Sequence, residues 1–216
     1  MKKDLFLLIL AGLLLLTGAV AWAQDIAPPE GSQAKDLPII NTFKDIQGHW
    51  AEKDIVEMYN LGILQDVEGI TPEKFGPKEI VTGKELISSL ENLFERKLGK
   101  ENNKTGELIS IFEDPDKPAV RMNAARAIEQ AFIINELSVI TTEIFPIYDD
   151  TANLAPEETS ALSFVFNAGI MKGRAPKIFA PNEPITRAEL ASILSRTSIV
   201  LELAEPIEEI NTEDSQ

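Results

Sequence analysis

The chain contains no cysteine and only one histidine, His49, among its 216 residues. The missing thiols exclude a disulfide framework, a thiolate nucleophile, an iron–sulfur cluster and a cysteine-ligated zinc site. One histidine cannot build a multi-histidine metal centre, and it leaves a single candidate for a histidine general base. We predict no catalytic residue, no metal site and no cofactor. The alternatives are a calcium site or a glycosidase pair among Asp149, Asp150, Asn153, Glu157 and Glu158, which lack the loop spacing and central glycine of an EF-hand.

Positive charge is also scarce, since 20 Lys and Arg residues are opposed by 35 Asp and Glu residues and the net charge is -15. The phosphate backbone of a nucleic acid requires a basic surface, so nucleic acid is excluded as the expected partner. Hydrophobic residues nevertheless make up 44% of the chain. That fraction is enough for one core, or for several small repeats that share one.

The N-terminus has the pattern of a secretory signal peptide. A basic start precedes an apolar run from Leu5 to Leu16, and Ala21-Trp22-Ala23 has the small-x-small pattern of a signal peptidase site. We predict a signal peptide at 1–23, cleaved after Ala23, and an exported chain with no membrane span after cleavage. The alternative is an uncleaved anchor, because the apolar stretch is long enough to cross a bilayer.

Two terminal segments of the remaining chain have the composition of linkers. Residues 24–42 contain three prolines and show no sustained periodicity, so we expect a flexible linker there. From Glu205 onward there are five acidic side chains and no basic one. We expect residues 202–216 to form a solvated acidic tail, through which a protein partner could bind.

An internal repeat organises the residues between these segments. Phe75-Gly-Pro77 and Phe179-Ala-Pro181 each precede a threonine, which lies seven residues after the phenylalanine, at Thr82 and Thr186. A third, partial copy runs from Pro115 to Ala125, so we expect the middle unit to have lost or reshaped its front half. A repeat of this length predicts stacked supersecondary units that share one core.

Each full copy contains the signals of two helices. Thr82-x-x-Glu85 and Thr186-x-x-Glu189 have the spacing of a capping box, in which the threonine oxygen accepts a backbone N–H and the glutamate reaches back. Apolar residues then recur at helical spacing, and a shorter upstream helix ends at Gly62 in one copy and at Gly169 in the other. We therefore predict an all-α fold of three helix–loop–helix repeats.

These residues resemble the S-layer homology family. Phe43-Lys-Asp45-Ile-Gln-Gly48-His49-Trp50-Ala51 is similar to the start of a repeat, and so are Tyr148-Asp-Asp150 and Gly169-Ile-Met-Lys-Gly173. The run from Phe179 to Leu190 is similar to a second half, with the Thr-Arg-Ala-Glu signature intact. The resemblance implies a pseudo-threefold helical domain, with repeats at 43–98 and 141–201 and a degenerate middle repeat at 99–140.

The resemblance implies that this is an exported bacterial protein held non-covalently at the cell wall or cell surface. The usual ligand in the family is an acidic, pyruvylated secondary cell-wall polysaccharide. Arg187 would lie in the first turn of a helix, where the helix dipole and the guanidinium both favour a carboxylate. Lys172, Arg174 and Lys177 are expected to join Arg187 in one basic cluster. The candidate glycan-binding residues are Arg187, Thr186, Glu189, Asp150, Gly173, Arg121, Lys84 and Trp50.

The sequence departs from the family signature in two repeats. Gly83 holds the arginine position of the first repeat, with Lys84 beside it, and the middle repeat has Val120-Arg121-Met122-Asn123, which replaces both capping residues. The alternative interpretation is therefore a protein-interaction scaffold that has kept the fold and lost glycan binding. For Trp50 we expect a core position, with sugar stacking as the alternative that places it among the candidate residues. For His49 we expect a structural role at a helix start, with catalysis as the alternative.

Overall fold

The computed structural model describes residues 42–142 and 144–207, and most of their regular structure is helical. The α-helices are α1 (Glu52–Asn60), α2 (Gly83–Leu98), α3 (Arg121–Ile134), α4 (Pro156–Asn167) and α5 (Arg187–Glu202), with 3-10 helices at Lys44–Ile46 and Thr105–Ile111. The strands of this part of the chain, β1 (Leu137–Ser138) and β2 (Glu205–Pro206), form one antiparallel pair. The prediction of an all-α fold is confirmed apart from that pair.

Both predicted capping boxes are confirmed. Thr82 Oγ1 accepts the Glu85 N–H at 3.2 Å and Glu85 Oε2 accepts the Thr82 N–H at 2.7 Å. Thr186 and Glu189 repeat the pair at 3.3 and 2.9 Å. In α3, where a valine replaces the threonine, only Asn123 reaches back, to the valine N–H at 3.3 Å. The middle repeat therefore starts its helix with half of the cap that its neighbours have.

The predicted glycine ends of α1 and α4 are also confirmed, because Gly62 and Gly169 have φ values of 74° and 73°. The isoleucine that follows each glycine donates its N–H five residues back, to Met58 O at 3.0 Å and to Val165 O at 2.9 Å. This is the hydrogen bond of a Schellman cap. It turns each buried isoleucine into the core and aims the following loop away from the helix.

Three loop residues close a cycle of backbone hydrogen bonds at the centre of the molecule. Val81 N–H donates to Ile185 O, Ile185 N–H to Ala119 O, and Ala119 N–H to Val81 O, at 3.2, 3.0 and 2.9 Å. The first residue of each long helix, two positions later, donates to the other neighbouring loop, at 2.8–3.0 Å: Gly83 to Lys117 O, Arg121 to Glu183 O and Arg187 to Glu79 O. The pseudo-threefold arrangement of three whole repeats stays a prediction, and this cycle supports it.

The front half of the middle unit is reshaped, as its partial copy predicts, because the 3-10 helix Thr105–Ile111 stands where the other two units have their first α-helix. Its buried residues, Thr105 and Leu108, are three apart, which matches the three residues per turn of a 3-10 helix. It packs on α2, as α4 packs on α3 and α1 on α5. Each long helix is therefore covered by the first helical element of the repeat that follows it in the cycle.

The C-terminal prediction also needs a correction. Residues Glu205 and Pro206, expected in a solvated tail, pair with β1, and Ile207 N–H donates to Glu136 O at 2.8 Å. The predicted signal peptide, residues 24–41 and residues 208–216 lie outside the described residues. In residues 42–142 and 144–207 no helix is both long enough and apolar enough to cross a membrane.

Candidate functional site

A basic pocket of about 250 Å³ opens where the start of α3, the first half of α5 and the loop after α4 meet. Its charged lining consists of four cations and one carboxylate: Arg121, Lys172, Arg174, Arg196 and Glu189. On a chain whose net charge is -15, this is a local reversal of sign. We call it the basic pocket, and it is the part of the described surface best suited to an anion.

Arg121 is the most deeply buried of these cations, with 5% of its surface exposed. Its Nε donates to Phe179 O at 2.8 Å and its Nη2 to Lys172 O at 2.6 Å, while the guanidinium carbon lies 4.9 Å from the centre of the Phe179 ring. Burial lowers the pKa of Arg121 and the nearby Arg174 lowers it further, although Glu189 acts in the opposite direction. The side chain thus clamps the middle repeat onto the loop of the last one.

Glu189 links the helix cap to the pocket. Besides capping α5, its carboxylate accepts from Nε and Nη2 of Arg174 at 2.8–3.0 Å, while Arg121 Nη1 lies 3.8 Å away. Within the described part of the chain Lys172 forms no ion pair, and the side chain of Arg196 donates only to Ile170 O, at 3.2 Å. Since both are exposed, these two cations can turn towards a ligand without breaking an ion pair.

The wall of the basic pocket is held from behind by Asp150 and Tyr148. Asp150 accepts the N–H groups of Phe179 and Ala180 at 3.0 and 2.7 Å, and Tyr148 Oη accepts the Gly173 N–H at 2.9 Å. A Cβ at Gly173 would lie 2.6 Å from the Tyr148 ring, so no larger residue fits without displacing the wall. Asp150 and Gly173 therefore shape the pocket.

Asp45 performs the same task in the first repeat, where it accepts the N–H groups of Phe75 and Gly76 at 2.9 and 2.8 Å. For both aspartates, burial acts to raise the pKa, but the backbone N–H groups outweigh it and hold the pKa below the usual 3.8. Each carboxylate therefore stabilises the fold at pH values above 3.8, and this contribution is lost as the pH falls through the folded-state pKa.

We expect an Asp150→Asn variant to lose less stability than the wild type when the pH is lowered from 6 to about 3. The reason is that the variant has no carboxylate at this position to protonate. Urea unfolding followed by circular dichroism at several pH values measures the difference. Asp149→Asn is the matched control, because the neighbouring Asp149 is exposed and only its backbone N–H is bonded, to Lys177 O at 2.8 Å. Identical pH profiles for wild type and Asp150→Asn would contradict the assignment.

Arg187, the arginine of the complete signature, lies at a different repeat boundary. Its Nη1 donates to Phe75 O at 3.0 Å and its Nη2 donates to Glu68 O, while its Nε is buried without a hydrogen-bond partner in the described part of the chain. A Cβ at Gly76 would lie 2.9 Å from Nη1. Arg187 therefore clamps the last repeat onto the first, as Arg121 clamps the middle repeat onto the last.

The third boundary has no arginine at all. Gly83 faces the ring of Phe112, which would lie 2.6 Å from a Cβ at this position. Lys84 is exposed beside it, and its backbone N–H donates to Pro115 O at 2.8 Å. The Phe112 ring thus occupies the space beside Gly83.

The eight predicted site residues are consequently divided. Arg121, Gly173, Glu189 and Trp50 line the basic pocket, and Asp150 supports its wall. Thr186 caps α5, and Arg187 and Lys84 lie at the other two boundaries. The expected cluster of Lys172 and Arg174 with Arg187 is wrong, because each long helix begins against the loop of the neighbouring repeat, which brings both residues to Arg121 instead.

Two pocket residues, Ser192 and Arg196, were missed from the sequence, although they lie three and seven positions after Glu189, on the same face of α5. Helical periodicity counted from the signature glutamate would have found them. The core position expected for Trp50 is wrong, since 64% of its surface is exposed. The structural role of His49 is supported, because its Nδ1 accepts the Ala51 N–H at 3.2 Å.

Comparison with known proteins points to one family. Residues 42–87 and 147–191 match the family model of the S-layer homology domain. The chain is also 30% identical, over 211 residues, to Exoglucanase XynX of Acetivibrio thermocellus. That alignment covers 85% of this chain and 17% of the relative, so the chain spans only a small part of the length of the protein that it matches.

Proposed function

This chain is an S-layer homology protein, and from that premise we propose that it binds an acidic polysaccharide of the bacterial cell wall through the basic pocket. S-layer homology domains anchor exported proteins at the cell surface and bind cell-wall polysaccharide. The finer proposal is that the ligand carries carboxylates, such as those of pyruvate ketals. An anchoring role is preferred to a catalytic one, because the matched family is an anchoring module.

The observation that carries this proposal is the set of four cations around one carboxylate. Arg174 and Glu189 neutralise one another, which leaves Lys172, Arg196 and one edge of Arg121 for an anion. Guanidinium groups suit a carboxylate because they can donate two parallel hydrogen bonds to it. The net negative charge of the protein opposes this attraction only at long range, since salt screens charges over roughly 10 Å.

Two uncharged side chains in the basic pocket also favour a sugar. Ser192 Oγ is buried and has no partner in the described part of the chain, and an unpaired buried hydroxyl costs free energy that a ligand oxygen would recover. The exposed ring of Trp50 lines the same pocket and offers a flat apolar face to a pyranose. The proposal therefore assigns the acidic group to the cations and the sugar ring to Trp50.

We expect Lys172→Glu to reduce binding to cell walls by at least about tenfold, because the added carboxylate repels an anionic ligand inside the pocket. Residues 24–216 are co-sedimented with purified walls, before and after removal of the secondary polysaccharide. Lys100→Glu has the same change in net charge on an exposed lysine outside the pocket, and should bind as the wild type does. Equal binding by the two variants would contradict the placement of the site.

A scaffold function is the second candidate, and the other two boundaries favour it. Arg187 is committed to backbone carbonyls, and the Phe112 ring fills the space beside Gly83. If these boundaries are closed to sugars, only one of the three boundaries is open to an anionic glycan. Wild-type protein that stays folded and never pellets with intact walls would favour the scaffold. The proposed protein partner of the acidic tail would then be the first to test.

A further inference from the structure

A second pocket, distinct from the basic pocket, lies between α3 and α4 and has about 600 Å³ of space. One wall is a stripe along α4 in which Pro156, Thr159, Ser160, Ser163 and Asn167 recur at helical spacing. The opposite wall is the loop after β1, which contributes Thr141, Thr142 and Phe145. We call this space the α3–α4 pocket. Neither the family signature nor the proposed anchoring site includes it.

The loop wall is fixed in place by the side chain of Asn167. Its Oδ1 accepts from Thr142 Oγ1 at 3.0 Å and from the Ile144 N–H at 3.1 Å, while its Nδ2 donates to Ile144 O at 2.9 Å. Three hydrogen bonds between one amide and two loop residues hold the loop against the end of α4. The space between the walls is therefore a built feature of the fold.

A carboxylate with few partners forms the base of this pocket. Glu129, on α3, has 8% of its surface exposed, and its Oε1 accepts from Ser160 Oγ at 2.5 Å. No other hydrogen bond or ion pair of Glu129 exists in the described part of the chain. Burial raises the pKa of Glu129, although the Ser160 hydroxyl partly opposes this. A carboxylate this poorly solvated would be stabilised by further hydrogen-bond donors.

The rest of the lining is neutral, polar and aromatic. Four hydroxyl groups besides that of Ser160, those of Thr141, Thr142, Thr159 and Ser163, line the space, and no lysine, arginine or histidine lines it among the described residues. Phe145 presents its ring at the mouth of the pocket with 73% of its surface exposed. Hydroxyls that donate and accept, an acceptor carboxylate and an exposed ring together suit a ligand with many hydroxyls and an apolar face.

We infer that the α3–α4 pocket binds one residue of a neutral saccharide, with the Phe145 ring against the apolar face of the pyranose and Glu129 accepting hydrogen bonds from its hydroxyls. The absence of a cation from the described lining distinguishes this site from the basic pocket, which selects an anion. Two sites of different chemistry on one chain would let it hold two sugars of one polymer, and the second contact would raise the avidity.

The test uses ¹⁵N-labelled protein of residues 24–216 and three neutral probes: methyl β-D-glucopyranoside, N-acetyl-D-glucosamine and methyl α-D-mannopyranoside. We expect at least one of them to cause saturable changes of chemical shift at the backbone amides of Ser160 and Ser163 and at the side-chain amide of Asn167. The fitted Kd should be in the millimolar range. Phe145→Ala should weaken that binding by roughly fivefold, since an aromatic face is lost. Glu129→Gln should weaken it by about tenfold, since an NH₂ group, which cannot accept a hydrogen bond from a sugar hydroxyl, replaces one of the two acceptor oxygens.

Ile147→Ala is the matched control, because Ile147 lies in the same loop, is 85% exposed and does not line the pocket. Lys172→Glu should leave the sugar shifts unchanged, so failure of the anchoring proposal and failure of this one give different results. The inference is overturned if none of the three sugars causes saturable shifts at these amides. It is also overturned if Phe145→Ala and Glu129→Gln both bind as tightly as Ile147→Ala.

Discussion

Replacing Arg121 by alanine is expected to remove wall binding and to lower the free energy of unfolding by about 3–5 kcal/mol, the largest loss of stability that we predict. Two effects add. The guanidinium donates to Phe179 O and Lys172 O, and hydrogen bonds to charged groups contribute about 1.5–3 kcal/mol each. Its removal also leaves both carbonyls without that donor and uncovers the Phe179 ring. Urea unfolding followed by circular dichroism measures the stability.

Two further variants separate stability from binding. Arg121→Lys keeps the charge but cannot match the fork of donors that reaches two carbonyls, so we expect it to be partly destabilised. Arg187→Ala removes the equivalent clamp at another boundary, and because Arg187 does not line the basic pocket the folded variant should still bind walls. An Arg121→Ala protein within 1 kcal/mol of the wild type, or an Arg187→Ala protein that is folded and unable to bind, would contradict this assignment.

The local structure was predictable because it depends on residues close in sequence. The capping boxes at Thr82 and Thr186 follow from a spacing of three residues, and the glycine ends of α1 and α4 follow from a Gly-Ile pair. The 3-10 helix at Thr105–Ile111 was not predicted, because the partial copy preserved only the second half of the repeat. The pairing of Glu205 with β1 was missed because a contact over 67 residues leaves no periodic signal.

The candidate site was harder to predict because it is assembled between repeats. The sequence predicts an arginine at the start of a long helix as the centre of an anion site, and it favours Arg187 because the signature there is complete. In the structure Arg121 and Arg187 make equivalent backbone contacts, but only Arg121 has Lys172, Arg174 and Arg196 around it, so the site that we propose lies at the arginine of an incomplete signature. Which loop faces which helix is decided by the cycle of Val81, Ala119 and Ile185, which the linear order of residues does not reveal.

For Gly83→Ala, helix propensity and the packing around the residue predict opposite changes in the free energy of unfolding. Helix propensity alone predicts a gain, because alanine is favoured over glycine inside a helix by about 1 kcal/mol. The structure predicts a loss of about 1–3 kcal/mol, because the new Cβ would lie 2.6 Å from the Phe112 ring and the ring would have to move. Thermal and urea unfolding of the wild type and the variant show whether Gly83→Ala raises or lowers the free energy of unfolding. A Gly83→Ala protein more stable than the wild type would show that Phe112 does not fill this boundary.

A double-mutant cycle with Phe112→Ala identifies the cause of that loss. In the Phe112→Ala background the clash is absent, so the same Gly83→Ala change should be neutral or stabilising, and the two substitutions should couple by about 1–3 kcal/mol. The steric conflict is also the reason why Gly83→Arg, which restores the signature, is not expected to create another site like the basic pocket. A guanidinium can enter this boundary only if the Phe112 ring moves away from it. If Gly83→Ala costs the same in both backgrounds, the steric explanation fails. The glycine would then have to be required for a reason confined to the start of α2.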